Sequence, residues 1–294
     1  MAEEQILQIA KLLSNDNPAL RQLALEQLIP YSDHDSAIEI LVRSLNDKDA
    51  DVRSYAAEIL GGVDFAKSSV ALAKALEDGS WEVRAAAIAS FGKHANPETV
   101  RFLIFGLKDE HPQVRYSAAR DLKNFDDMSI IEPLFESLKD SSESVREEAK
   151  STLLQFPIKV PASLVARFIL DMNRLVKEVV VEFLTYRVEG NPIPHLEKAY
   201  SDEDWQIRLL TLQELRKLID IGEIEDPNMY EINLKALDDA HPRVRFEAIR
   251  NIGVLKEPKA IEVLGEIARN DEDSNNRLMA TETMTAIRRS IRLE

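Results

Sequence analysis

The sequence predicts an all-α chain folded as an α-α superhelix, a solenoid of about nine stacked helix hairpins. Three observations carry this. Apolar residues recur at three- and four-residue spacings along nearly the whole chain, the period of helices with one buried face. Glycine is scarce, 9 in 294 residues, and strand-like alternation of β-branched residues is rare. Above all, one unit repeats: a helix ending in Leu, an Asp, a short polar turn, Val-Arg, and a second helix rich in Ala and Leu.

The clearest copies read LNDKDADVRSYAAEILG, LEDGSWEVRAAAIASFG, LKDEHPQVRYSAARDL and LDDAHPRVRFEAIRNIG. Their basic residues are Arg21, Arg53, Arg84, Arg115, Arg146, Lys177, Arg208, Arg245 and Arg277, spaced 31 or 32 apart except for a step of 37 before Arg245. Six residues earlier stand Asn15, Asp47, Asp78, Asp109, Asp140, Asp171, Asp202, Asp239 and Asp271. Between the two columns, Asn17, Asp49, Ser80, Ser142, Asn173, Asp204 and Ser274 are N-cap candidates, with His111 and His241 in that slot elsewhere. Pro18, Pro112 and Pro242 follow where a first helical turn tolerates proline, and Trp81 and Trp205 share their slot. Each unit is therefore first helix, tight turn, second helix. Counted from the arginine, positions −1, +3, +6 and +7 fall within about 100° of one another on the second helix. They hold Val52, Ala56, Ile59 and Leu60 in one unit and Val114, Ala118 and Leu122 in another, which marks the buried stripe. One hairpin cannot bury that stripe alone; stacked hairpins can. The paired Asp and Arg columns point to an internal ladder of charge-assisted bonds and not to an exposed anion site.

Two units depart from the pattern. Residues 156–186 form a degenerate repeat containing Pro157 and Pro161, and about 218–227 carries an insertion, around LIDIGEIEDP. Apolar periodicity continues through both, so the expectation is one repeat domain over 1–294. Polar Glu3, Glu4 and Gln5 suit an opening cap, and Arg288, Arg289 and Arg292 suit the end of a final helix.

Composition narrows the function classes. A formal net charge of −15 disfavours nucleic acid and anionic membrane. The absence of cysteine excludes disulfides, thiolate metal sites and cysteine nucleophiles. No apolar run is long enough to span a bilayer, and MAEEQILQIAKLL lacks a signal-peptide pattern, so a cytoplasmic location is expected.

The motif Asp47…Asp51-Val52-Arg53…Ala56-Ala57…Leu60-Gly61 and its copies resemble the HEAT-repeat family, specifically its bacterial phycobilin-lyase-type branch. The resemblance covers essentially the whole chain and implies that second helices line a concave surface. Positions +1, +5 and +8 would face that groove. The candidate binding residues are Tyr116 with Arg120, the acidic Glu147, Glu178 and Glu182, then Leu209, Gln213, and Phe246 with Arg250, flanked by Leu278. Aromatic and arginine side chains are the commonest interface anchors. The expected function is a non-catalytic scaffold that holds a protein or peptide in this groove.

Catalytic relatives offer alternatives. A phycobilin-lyase-like role in chromophore attachment is the first; no bilin-specific motif is visible. A deoxyhypusine-hydroxylase-like oxidoreductase would need several His and carboxylates converging on iron, and the five histidines form no His-Glu dipeptide. A HEAT-like glycosylase would need a basic groove. No glycine-rich phosphate loop or Gly-x-Ser-x-Gly elbow occurs. No catalytic, metal or cofactor residue is expected.

Overall fold

The computed structural model describes residues 2–94, 96–222, 224 and 226–291. The expected cap residue Arg292 and two insertion residues, Glu223 and Glu225, lie outside the described residues. The chain divides into two compact units, Met1–Phe156 and Pro157–Glu294. Each is a stack of helix hairpins, the α-α superhelical architecture that the repeat predicts.

In the first unit the first helices are α1 (Ala2–Leu12), α3 (Asp35–Ser44), α5 (Phe65–Ala75), α7 (Val100–Gly106) and α9 (Ile131–Ser137). The second helices are α2 (Pro18–Glu26), α4 (Ala50–Leu60), α6 (Trp81–Lys93), α8 (Pro112–Leu122) and α10 (Glu143–Leu154). Each first helix packs on the second helix of its own pair, and successive second helices pack on one another from α2 to α10. The predicted stripe is buried on the interior helices, with Val52, Ala56, Ile59 and Leu60 on α4 and Val114, Ala118 and Leu122 on α8, whereas on the terminal α2 Leu20 at position −1 is exposed. It is also wider than predicted, because position +4 (Ala57, Ile88, Ala119) is buried too. An interior second helix such as α4 or α6 has four helical neighbours, and a narrow stripe cannot meet them all.

Position +6 is the surprise of the core. The expected apolar residue is found at Ile59, but Ser90, Asp121 and Thr152 occupy the equivalent sites and are buried. Ser90 Oγ donates to Ala57 O at 2.8 Å, and Thr152 Oγ1 to Ala119 O at 2.9 Å. Each hydroxyl thus ties its helix to the second lone pair of a carbonyl on the preceding second helix. Opposite, at position +8, sits a glycine column, so in these units +8 packs against the following second helix instead of facing the groove as the helical wheel expects. A Cβ on Gly61 would lie 2.6 Å from Ser90 Oγ and 2.9 Å from Ser90 Cα; one on Gly92 would lie 2.6 Å from the Asp121 carboxylate. Gly61 has ordinary helical angles (φ −66°), so it is there for close approach and not for a left-handed cap.

The second unit holds α11 (Ala162–Ala166), α13 (Ile193–Tyr200), α15 (Asn228–Ala236) and α17 (Ile261–Asn270) as first helices. Its second helices are α12 (Arg174–Tyr186), α14 (Trp205–Ile221), α16 (Pro242–Leu255) and α18 (Ser274–Ile291), again packed in succession. The column of buried polar residues continues as Glu214, Asn251 and Thr283, with Asn251 Nδ2 donating to Leu212 O at 2.9 Å.

Both irregularities have physical explanations. In the degenerate repeat Pro161 stops a helix from starting before Ala162, leaving α11 only five residues long. The chain ahead of it, β1 (Val160–Pro161), pairs in parallel with β2 (Val188–Glu189), and Val160 N donates to Arg187 O at 2.9 Å. No strand pattern in the sequence anticipates this short sheet. The insertion mostly extends a helix: α14 runs 17 residues and ends at left-handed Gly222 (φ +69°). Ser80 and Ser142 stand at cap positions without a side-chain cap bond, their hydroxyls turning to Glu82 and Ser144, and one further cap assignment moves by a residue. Ser274 is the first residue of α18, and Asp273 is the cap, its Oδ1 accepting from the Asn275 and Asn276 amides.

Candidate binding groove on the second helices

The conserved spacing of Asp and Arg resolves into a ladder within each unit. Arg84 Nε and Nη2 donate to Asp109 of the next turn at 2.7 and 2.9 Å, while Nη1 donates to the Asp78 carbonyl behind it at 2.8 Å. Asp109 Oδ1 also accepts the His111 amide at 2.8 Å. The same fork joins Arg21 to Asp47, Arg53 to Asp78 and Arg115 to Asp140, then Arg208 to Asp239 and Arg245 to Asp271. Lys177 makes a single contact with Asp202 at 2.7 Å. The Arg53 guanidinium holds the Asp78 carboxyl below the usual carboxylate range, against the upward push of burial. Burial pushes Asp109 up as well, and Arg84 with the His111 amide more than offsets it. These charges are spent on one another and offer nothing to an anionic ligand.

The cap histidines add a second repeated device. His111 Nδ1 accepts the Gln113 amide and His241 Nδ1 accepts the Arg243 amide, each at 3.3 Å. His111 stacks on Trp81 and His241 on Trp205, with ring centroids 4.2 and 3.7 Å apart. Tryptophan in the first-turn slot of one second helix therefore covers the cap of the next.

The +1 residues are nowhere buried, as a stripe-opposed arc requires. In the first unit Tyr116 is half-buried on α8, and Glu147 is exposed on α10. Arg120 is not free: its Nε donates to Asp121 at 2.8 Å. In the second unit Glu178 and Glu182 are half-buried on α12, with Arg174 bound to Glu178 at 2.7 Å. Arg250 is exposed and pairs with Glu247 at 3.1 Å.

Leu209, Gln213 and Phe246 do come together. They line a groove of about 600 Å³ across α14, α16 and α18. Leu209 and Phe246 are half-buried, and Leu278, 60% exposed, extends the apolar row onto α18. Phe246 and its neighbours thus partly support the helix packing and partly face outward. Arg250 is not among the lining residues. Asp273, Met279 and Glu282 line the groove and were not singled out from sequence; Glu282 at +5 and Met279 beside Leu278 could have been found by extending the columns to the last helix. Asn276 at its floor is buried and donates to Pro242 O at 3.1 Å, fixing α18 against α16. Arg243 leans over the Trp205 ring at 6.0 Å. A smaller cleft of about 360 Å³ lies on first helices α5 and α7, around Val70, Lys74, Arg101 and Phe102.

Among the described residues no group of three or more His, Asp and Glu is placed to hold a metal ion, and no helix is long and apolar enough to cross a membrane.

Comparison with known proteins agrees with this architecture. No curated protein matches the chain in sequence. Among solved structures, it is similar to Kap121p bound to Nup53p, at 15% identity over 96% of this chain and 37% of that one, with a TM-score of 0.62. It is similar also to Kap95p in its complex with RanGDP, at 15% identity over 97% of this chain and 45% of that one, with a TM-score of 0.55. The chain thus spans less than half the length of either, and at such identities the likeness is one of fold. Human deoxyhypusine hydroxylase aligns at 16% identity over 86% of this chain and 96% of that one, but the TM-score of 0.37 carries no argument. The family model for HEAT repeats matches residues 38–104, 69–153, 100–185 and 193–285. With the repeat, its Asp–Arg ladder and the stacked hairpins all in place, the chain belongs to the HEAT-repeat family.

Proposed function

We propose that this protein is a non-catalytic scaffold that binds a protein or peptide partner on the exposed face of its second helices, with the α14–α16–α18 groove as the principal contact. The observation that carries the reading is the alignment of Leu209, Phe246 and Leu278, one from each of three successive helices, in a single open groove. Apolar and aromatic side chains held at such a surface by the fold beneath them are what interface anchors require. Solved structures of similar fold hold protein partners, Nup53p in one case and RanGDP in another, which supports a protein ligand here. The short repeat spacing supports the phycobilin-lyase-type branch of the family, and the acidic charge supports a cytoplasmic protein that avoids nucleic acid and membrane.

Affinity capture from the native host tests this, comparing the wild-type chain with the Phe246→Ala/Arg250→Ala double variant and with Leu278→Glu. The two variants are expected to lose the same partner by about tenfold or more; Leu278→Glu, at an exposed site, should melt near the wild-type temperature, and the double variant, which takes the cation from buried Glu247, should melt lower while staying folded at the capture temperature. An unchanged set of captured proteins, with both variants folded, would remove the groove from consideration.

A further inference from the structure

The dimensions and charge of the groove say more about its occupant. We propose that it takes an extended, polyproline-II-like peptide segment with apolar side chains at every third residue and basic side chains on the flank that reaches α18. The inference rests on the binding reading above and narrows it to one class of ligand.

Spacing is the first argument. Leu209, Phe246 and Leu278 occupy the same register on three packed neighbours, and packed helices lie about 8–10 Å apart. A ligand crossing the three helices must therefore present an apolar group about every 9 Å. A polyproline-II chain repeats its faces every three residues at about 3.1 Å each, giving roughly 9.3 Å. A β-strand repeats its faces at roughly 6.6 Å and a helix at about 5.4 Å per turn, and neither keeps step with the row. A polyproline-II segment also arrives with its backbone already ordered and loses little entropy on docking.

Charge is the second argument. On α12, beside α14, the equivalent positions are Glu178 and Glu182. At the other end Asp273 and Glu282 line the groove, and among the described residues neither has an ion-pair partner. The apolar row thus ends on α18 at two carboxylates without an ion pair, while at the α12 end Glu178 is held by Arg174, and Arg243 in the lining leans on Trp205. Lysine or arginine on the flank of the ligand that reaches α18 would be steered in and held there.

A labelled synthetic peptide, Lys-Arg-Leu-Pro-Pro-Leu-Pro-Pro-Leu-Arg-Lys, provides the probe, with binding read by fluorescence anisotropy on the full chain. Three comparison peptides accompany it: one with the leucines at every second residue, one with glutamates replacing the basic flanks, and a basic-flanked helix former with leucines seven apart. The first peptide is expected to bind at least about tenfold more tightly than any of the others. It should weaken by a similar factor with Leu278→Glu, an exposed site that leaves the core untouched, and several-fold with Glu282→Lys. Equal binding of the every-second-residue peptide, tighter binding of the helix former, or no binding of any peptide would overturn the proposal. If peptide binding fails while host capture still depends on Phe246, this inference falls and the groove stands. If capture is indifferent to Phe246 as well, both fall.

Discussion

Arg84 shows how one side chain can serve two repeats. Its guanidinium fork grips Asp109 ahead and the Asp78 carbonyl behind, and only 6% of the residue is exposed. Removing it leaves a buried carboxylate without its cation, and that loss is what makes the site costly. Arg84→Ala should therefore lower stability by about 3 kcal/mol, read as a shift of the urea midpoint, while partner capture at a temperature below the transition stays unchanged. Retained stability with abolished capture would mean that the arginine column is a ligand site after all. Arg84→Lys should fall between the two, because Lys177 in the same slot shows that an ammonium keeps one carboxylate contact. A point charge cannot reproduce the fork.

At the scale of the helix, the glycine column and the buried position +6 form a matched pair. The second helices approach closely where Gly61 meets Ser90 and Gly92 meets Asp121, and Ser90 then bonds across the gap to Ala57 O. Adding a methyl group at Gly61 forces the Ser90 backbone to move as well as its side chain. Gly61→Ala should thus cost about 1–3 kcal/mol in chemical unfolding. Gly79, in a turn with nothing within 4 Å of its missing Cβ, is the control: Gly79→Ala should be neutral or stabilise by up to about 1 kcal/mol. A Gly61→Ala protein as stable as wild type would show that the helices have room to spare. The same scale explains the insertion. Its residues lengthen α14 until Gly222 ends it, so a step of 37 residues is absorbed mainly as helix.

Across the whole molecule the ladder makes stability depend on pH with a definite sign. Asp47, Asp78, Asp109, Asp140, Asp239 and Asp271 are all held below their ordinary range in the folded chain. The unfolded state therefore takes up protons first on acidification. The stabilisation is fully present above the unfolded aspartate value of about 3.9 and disappears as pH falls through the lower, folded values. Exposed carboxylates act in the opposite sense, because protonating them relieves the repulsion of a chain at −15. Buried, bidentate pairs should win. The urea midpoint should stay nearly level from about pH 7 to 5 and drop steeply below about pH 4; a midpoint that rose below pH 4 would mean that surface repulsion, and not the ladder, dominates.

The fold was legible in the sequence because its logic is local and repeated. The Asp, Val-Arg and Ala-Leu columns recur at each turn, the stripe they imply is buried, and each unit meets only its neighbours. The same periodicity placed Leu209, Gln213 and Phe246 on the open arc. It could not say which arginines were already taken: Arg120 turns to Asp121 and Arg250 to Glu247, and neither pairing follows from the repeat. Nor could it foresee that the polar residues at position +6 would be buried and, at Ser90, Thr152 and Asn251, bonded across to the preceding second helix, since a helical wheel records direction and not the carbonyl on a neighbouring helix. Residue order alone determined the hairpins, their turns and the buried side of each helix. Only the packing of helix against helix decided where a groove opens and which side chains are left to face it, because a cavity is made by surfaces that are distant in the chain.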